Sequence, residues 1–114
     1  MTTYILQGRY SAEAIKGMIA NPEDRFREVQ GLMAHVGAKL QHYFVTFGDY
    51  DFMTIAEAPP GKERDMMAAL LAAAGSGGVS VLKTTIGVTS AEAKTAMEKA
   101  KKIAKAFRGA GRKK

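Results

Sequence analysis

Short segments of alternating apolar and polar residues trade places along the chain with longer segments of helical period, and that exchange predicts the elements. Tyr4 to Tyr10, aromatic and branched, predicts a first strand. Ser11 fits a helix N-cap, and Ile15, Met18 and Ile19 follow at i, i+3, i+4. Asn21-Pro22 then interrupts the pattern. Asn suits an N-cap and Pro the first helical position, so a second helix is expected to start there. Its apolar stripe is Phe26, Val29, Met33 and Val36, and Gly37 is its natural terminator. Lys39 to Phe47 and Phe52 to Ala58 predict two strands joined by the turn Gly48-Asp49-Tyr50-Asp51. Met66, Met67, Leu70, Leu71 and Ala74 mark a further helix that ends at Gly75-Ser76-Gly77-Gly78, and Val79 to Ile86 reads as a fourth strand. Thr89-Ser90-Ala91-Glu92 matches a capping box. Behind it, Ala93, Met97, Ala100, Ile103, Ala104 and Phe107 form one apolar stripe, with Lys94, Lys101, Lys102 and Lys105 off it.

Two strand–helix–strand crossings joined by a hairpin give an α+β, ferredoxin-like βαββαβ plan: a four-stranded antiparallel sheet with helices on one face. A C-terminal helix follows. The expected organisation is one domain over residues 1–107 and a basic, aperiodic tail over 108–114 without fixed structure.

Alternate strand residues point to opposite faces. The expected face under the helices carries Ile5, Val45, Phe47, Met53, Ile55, Leu82 and Ile86. The other carries Leu6, Phe44, Phe52, Ala56 and Val81 among Tyr4, His42, Thr54 and Lys83. A slip of one residue would exchange the two sets, but both are apolar. A solvated sheet face is mostly polar. An apolar one calls for a cover, and a second copy packed by two-fold symmetry is the simplest. The expectation is a homodimer.

Composition narrows the function classes. The chain has 114 residues, 46% of them hydrophobic and 25% charged, and no cysteine. That excludes disulfides, thiolate nucleophiles and Cys-based metal sites. No apolar run is long enough to span a membrane. The opening Met1-Thr2-Thr3-Tyr4 lacks a secretory pattern, so a cytoplasmic chain is expected. The net charge of +6 is unevenly placed. Residues 1–89 hold eight Lys/Arg and nine Asp/Glu; residues 90–114 hold nine Lys/Arg and two acids. An electrostatic partner would therefore meet the C-terminal segment. The body lacks the basic–aromatic sheet face of RNA-binding domains, which argues against nucleic acid.

The hairpin Phe47-Gly48-Asp49-Tyr50-Asp51-Phe52 resembles the signature of the GYD-domain family, with Gly48, Tyr50 and Asp51 carrying the pattern around Asp49. Tyr4-Ile5, Lys39-Leu40 and Ala56-Glu57-Ala58-Pro59 also look like that family, over about residues 3–98. The family is similar to the dimeric α/β-barrel group, in which two ferredoxin-like sheets close into a barrel. The resemblance implies fold and assembly, and no general activity.

His42, expected on the dimer-facing side with Tyr4, Thr54 and Lys83, has the pKa range of a general base. If the protein is an enzyme, His42 is the expected base, with Tyr4 and Lys83 orienting or polarising substrate. The same histidine fits an interior, hydrogen-bonded role. A haem reading would rest on His42 alone. With His35 expected at the surface and no metal-ligand spacing, no metal site is expected and the cofactor is left open. Arg9 could grip a carboxylate or, with Lys83, pair with Glu57 across the sheet. Tyr50 and Asp51 fit a ligand loop or a structural turn. The seven methionines read as core filler. Gly75-Ser76-Gly77-Gly78 precedes a strand, so it reads as a connector rather than a phosphate loop. Three functions stay open: a small-molecule site, an assembly module, or an anionic-surface binder acting through residues 94–114.

Overall fold

In the computed structural model, which describes residues 1–112, strand β1 (Thr2–Tyr10) leads into helices α1 (Ala12–Ala20) and α2 (Phe26–Ala34). Strands β2 (Lys39–Val45) and β3 (Phe52–Ala58) form the hairpin. Helix α3 (Glu63–Gly75), strand β4 (Val79–Gly87) and helix α4 (Ser90–Ala104) complete the chain. The sheet is antiparallel in the order β2-β3-β1-β4, the ferredoxin-like arrangement. Lys113 and Lys114, the end of the expected tail, lie outside the described residues.

Local chemistry sets most boundaries. Ser11 caps α1 by accepting from the Ala14 amide at 3.1 Å. The start of α2 differs from the expectation at Asn21-Pro22. The Asn21 amide is used to close α1 on the Gly17 carbonyl at 2.8 Å. Asp24 then accepts the Phe26 amide at 3.0 Å, so α2 begins four residues later than Pro22. Gly37 ends the turn after α2 with φ +71°, while the Ala38 amide reaches back to the Met33 carbonyl and the Gly37 amide to Ala34. The capping box of α4 is formed by Thr89 and Glu92.

The two faces of the sheet are exchanged on β1 and β3 relative to the sequence expectation. Tyr4, Leu6, Phe52, Thr54 and Ala56 lie beneath the helices, and Ile5, Met53 and Ile55 lie on the open face. On β2 and β4 the expectation stands: His42, Phe44, Val81 and Lys83 share the open side, and Val45, Leu82 and Ile86 the helical side. The physical reason is phase between strands. Alternation within a strand does not say which residue stands opposite which, and here β2 carries an irregularity between Leu40 and His42. Leu40 and Tyr43 consequently both face the helices, three positions apart.

Small residues under the helices let the layers close. Ala56 and Ala58 are fully buried. Gly8 sits beneath the Phe52 ring, where an added Cβ would stand 2.5 Å from Cζ. The core joins Tyr4, Leu6, Leu40 and Ala56 of the sheet to Met33 of α2 and Met66 of α3. Met33 and Met66 are buried as expected of core filler, but Met67 and Met97 are exposed. Helix α4 has no buried residue. The Met1 ammonium ties its start to the body through Glu92 at 3.2 Å, and the molecule measures 64 Å along one axis against 30 and 22 Å. That ammonium and the Thr89 hydrogen bonds hold the Glu92 carboxyl below the usual carboxylate range.

Tyr4 is 2% exposed, and its hydroxyl has no hydrogen-bond partner. Burial first, and then the Glu63 charge, raises its pKa, so the phenol stays neutral. Removing an unpaired buried hydroxyl removes a desolvation cost of about 1–3 kcal/mol. Tyr4→Phe is therefore expected to leave the urea midpoint unchanged or raise it; a clearly lowered midpoint would contradict this account of the core.

Candidate functional site

A groove of about 980 Å³ opens between the helical layer and the sheet. Its sheet side is built from Leu6 and Tyr10 of β1, Tyr43 of β2, Phe52 and Thr54 of β3, and Leu82 of β4. Met18, Val29, Met33 and Leu70 supply the helical side. The volume suits a small organic molecule; the sheet wall is largely apolar with a few hydroxyls, and Glu23, Arg25, Arg27, Glu28 and His35 also belong to the lining.

Those polar groups are specific. Thr54 is 2% exposed, lines the groove, and its Oγ1 has no hydrogen-bond partner. Beside it, Tyr10 and Tyr43 share a short hydrogen bond between their hydroxyls, 2.5 Å apart. Burial and then this bond raise the pKa of Tyr10 well above its ordinary value, so its phenol stays protonated. Phe52 packs against both rings, with centroids 5.1 Å from Tyr10 and 6.1 Å from Tyr43. Chemically this is a strip of neutral hydroxyls on an apolar wall. It can donate to or accept from an uncharged oxygen function.

The residues proposed from sequence fall into three places. Thr54 is in the groove. Tyr4 is on the same side of the sheet but buried in the core, outside the groove lining. His42 and Lys83 are on the open face, His42 opposite Ile55 on edge strand β2 and Lys83 opposite Gln7 on edge strand β4. Three strand spacings, about 14 Å, separate the two edges. The expected grouping of His42 with Tyr4 and Lys83 is thus broken by the sheet itself. His42 instead stacks on Phe44, with ring centroids 5.8 Å apart and planes 12° apart. The alternative pairing across the sheet also fails. Among the described residues neither Arg9 nor Lys83 comes within 4.0 Å of the Glu57 carboxylate, and Arg9 donates to the Asp49 carbonyl at 3.2 Å. Tyr10 and Tyr43, the phenols of the groove, were not singled out from sequence. The odd step from Leu40 to Tyr43 hid Tyr43, and Tyr10 reads as no more than the end of a strand.

Tyr50 and Asp51 form the corner that joins the hairpin to β1, outside the lining of the groove. The Thr46 hydroxyl donates to the Tyr50 carbonyl at 2.7 Å, and the Thr46 amide to the Asp51 carbonyl at 2.8 Å. Asp51 binds β1 twice. Its amide donates to the Gly8 carbonyl at 2.7 Å, and its carboxylate accepts from the Tyr10 amide at 3.0 Å. The pairing of β1 with β4 is irregular between Arg9 and Tyr10. The Asp51 carboxylate satisfies an amide at that irregularity. Gly48, at φ +122°, allows the chain to enter this corner. Among the described residues no helix is long and apolar enough to cross a membrane. Asp51→Ala leaves the Tyr10 amide without its carboxylate and is expected to cost about 1.5–3 kcal/mol in chemical denaturation. Asp51→Asn, which keeps an acceptor oxygen, should recover most of that loss; equal losses would mean that the charge, not the hydrogen bond, matters.

The chain is similar to two solved structures. One is a hypothetical protein, PHS023, from Pyrococcus horikoshii, at 17% identity and a TM-score of 0.49, over 79% of this chain and 93% of that one. The other is FFRP-DM1, at 17% identity and a TM-score of 0.46, over 77% of this chain and all of that one. No curated protein matches the sequence. The GYD domain model matches residues 4–110, so the family pattern takes in α4, beyond the limit near residue 98 expected from sequence. With Gly48, Tyr50 and Asp51 at the corner that joins the hairpin to β1, and with the family pattern running through nearly all of its length, the chain belongs to the GYD domain family.

Proposed function

We propose that the protein is a small-molecule-binding domain whose ligand, an uncharged and mostly apolar organic compound with a hydroxyl or carbonyl, occupies the groove between helices and sheet. The observation that carries this reading is the Thr54 hydroxyl, buried and unpaired in the wall of a groove of about 980 Å³. An unpaired buried hydroxyl is destabilising unless something completes its hydrogen bonding. The Tyr10–Tyr43 pair stands on the same wall as a second anchor. 1-Naphthol, apolar with one hydroxyl, serves as a probe. Saturable binding by fluorescence titration is expected, weakened roughly two- to tenfold in Thr54→Val. The same variant should be at least as stable as the parent, because the orphan hydroxyl is gone. Absence of saturable binding, or equal binding by Thr54→Val, would refute the reading.

A second observation favours homodimerisation through the open face. Ile5, Met53 and Ile55 stand there with Phe44 and Val81, which are 49% and 45% exposed. His42 and Lys83 would then lie between two sheets, His42 in the barrel interior stacked on Phe44. Ile55, on an inner strand, is the central position. Sedimentation equilibrium should give twice the chain mass of 12.2 kDa for the parent and the single-chain mass for Ile55→Lys. A parent that sediments as one chain at every concentration would refute the dimer.

A further inference from the structure

We propose that helix α4 of one copy docks into a second, acid-rimmed apolar groove on another copy, beside the hairpin. The groove, about 490 Å³, lies next to the ligand groove and shares Tyr10, Met18, Tyr43, Glu23 and Arg25 with it. Its floor is Ile15, Ile19, Val45 and Phe47. These side chains face water to an unusual degree: Ile19 is 75% exposed, Val45 68%, and Phe47 entirely. A contiguous apolar patch of this kind marks an interaction surface. The rim carries Glu23, Asp24 and Asp51 against one guanidinium, Arg25, which pairs with Glu23 at 3.4 Å.

Helix α4 has the complementary character. Met97, Ile103 and Phe107 are exposed along one stripe, and the Phe107 amide still donates to the Ile103 carbonyl, so the last turn keeps the stripe in phase. Lys94, Lys99, Lys101, Lys102 and Lys105 accompany it. An apolar stripe with basic flanks matches an apolar floor with an acidic rim. Pairing α4 with another α4 would instead bring like charges together.

The contact is made in trans. Helix α4 follows Gly87, which pairs with Thr3, whereas the groove lies at Tyr10, about 23 Å away along β1. The helix is anchored at the Thr3 end by the Met1–Glu92 ion pair. A docked α4 would cover the mouth that the two grooves share, so the second copy would help enclose the ligand site. The inference shares with the proposed dimer the meeting of two copies, but it uses a different surface.

The absence of native cysteine makes the test direct. Chains carrying Ile19→Cys and chains carrying Ile103→Cys are mixed and treated with a short bismaleimide; both positions are exposed, so neither change disturbs the core. The expected result is a 19–103 product of twice the chain mass, exceeding the 19–19 and 103–103 products. It should fall severalfold when Phe107→Asp is added or when salt is raised. In the double variant Ile19→Cys/Ile103→Cys, a product of single-chain mass at high dilution would overturn docking in trans. A dominant 103–103 product would also overturn it. So would absence of the 19–103 product in a protein that heparin retains, which would assign α4 to polyanions instead. A sedimenting dimer without the 19–103 product rejects this docking alone and leaves the sheet-mediated dimer standing.

Discussion

One chain of this length roofs one face of its sheet, and the sheet has two apolar faces. Helices α1, α2 and α3 cover the side bearing Leu6, Phe52 and Ala56, and among the described residues no helix covers the side bearing Ile5, Met53, Ile55 and Phe44. Helix α4 does not serve as a second roof; it leaves the body with its own stripe bare. Burial is worth roughly 25 cal/mol per Å² of apolar surface. A bare sheet face and a bare helix stripe are therefore two separate reserves of association energy. They sit on different parts of the molecule, so filling one does not fill the other.

The Gly48–Asp51 corner has its meaning inside that constraint. A βαββαβ chain must bring the hairpin against β1 in a fixed register, since a slip of one residue would turn every β3 side chain to the wrong face. Asp51 fixes the register with two bonds, its amide on Gly8 and its carboxylate on the Tyr10 amide. The same two bonds hold Tyr10 where its phenol meets Tyr43. The family signature is thus a structural lock whose far side is the wall of the groove. Its bonds hold Tyr10 and Phe52 in that wall.

Much of the fold was legible in the sequence because its signals are local. Ser11, Gly37 and the Thr89–Glu92 box each announce a helix end through chemistry confined to a few residues, and each stands where expected. Asn21-Pro22 misled because the same local chemistry had two uses. Asn21 closes α1, and Asp24 takes the capping role for α2. Sheet faces are a different kind of information. Which of Ile5 or Leu6 faces the helices depends on the pairing of β1 with β3 and β4 and on the irregularity after Leu40, neither of which a single strand records. The candidate site inherited that loss. The sequence groups Thr54 with His42 and Lys83, which lie across the sheet, rather than with Tyr10 and Tyr43.

The two unpaired hydroxyls of the core separate a structural cost from a functional one. Tyr4 and Thr54 are each 2% exposed, and each leaves a buried oxygen without a partner. At about 1–3 kcal/mol apiece, together they claim a large part of the roughly 5–15 kcal/mol by which a domain of this kind is stable. Tyr4 is enclosed by the core, where its ring fills space between sheet and helices and its hydroxyl meets nothing. Thr54 belongs to a groove lining that also holds Tyr10 and Tyr43, whose hydroxyls bond each other. A ligand that completes the Thr54 bond recovers on binding what the empty fold has lost, and gains stability for the folded state by mass action. Tyr4 lies outside that lining and offers no such recovery.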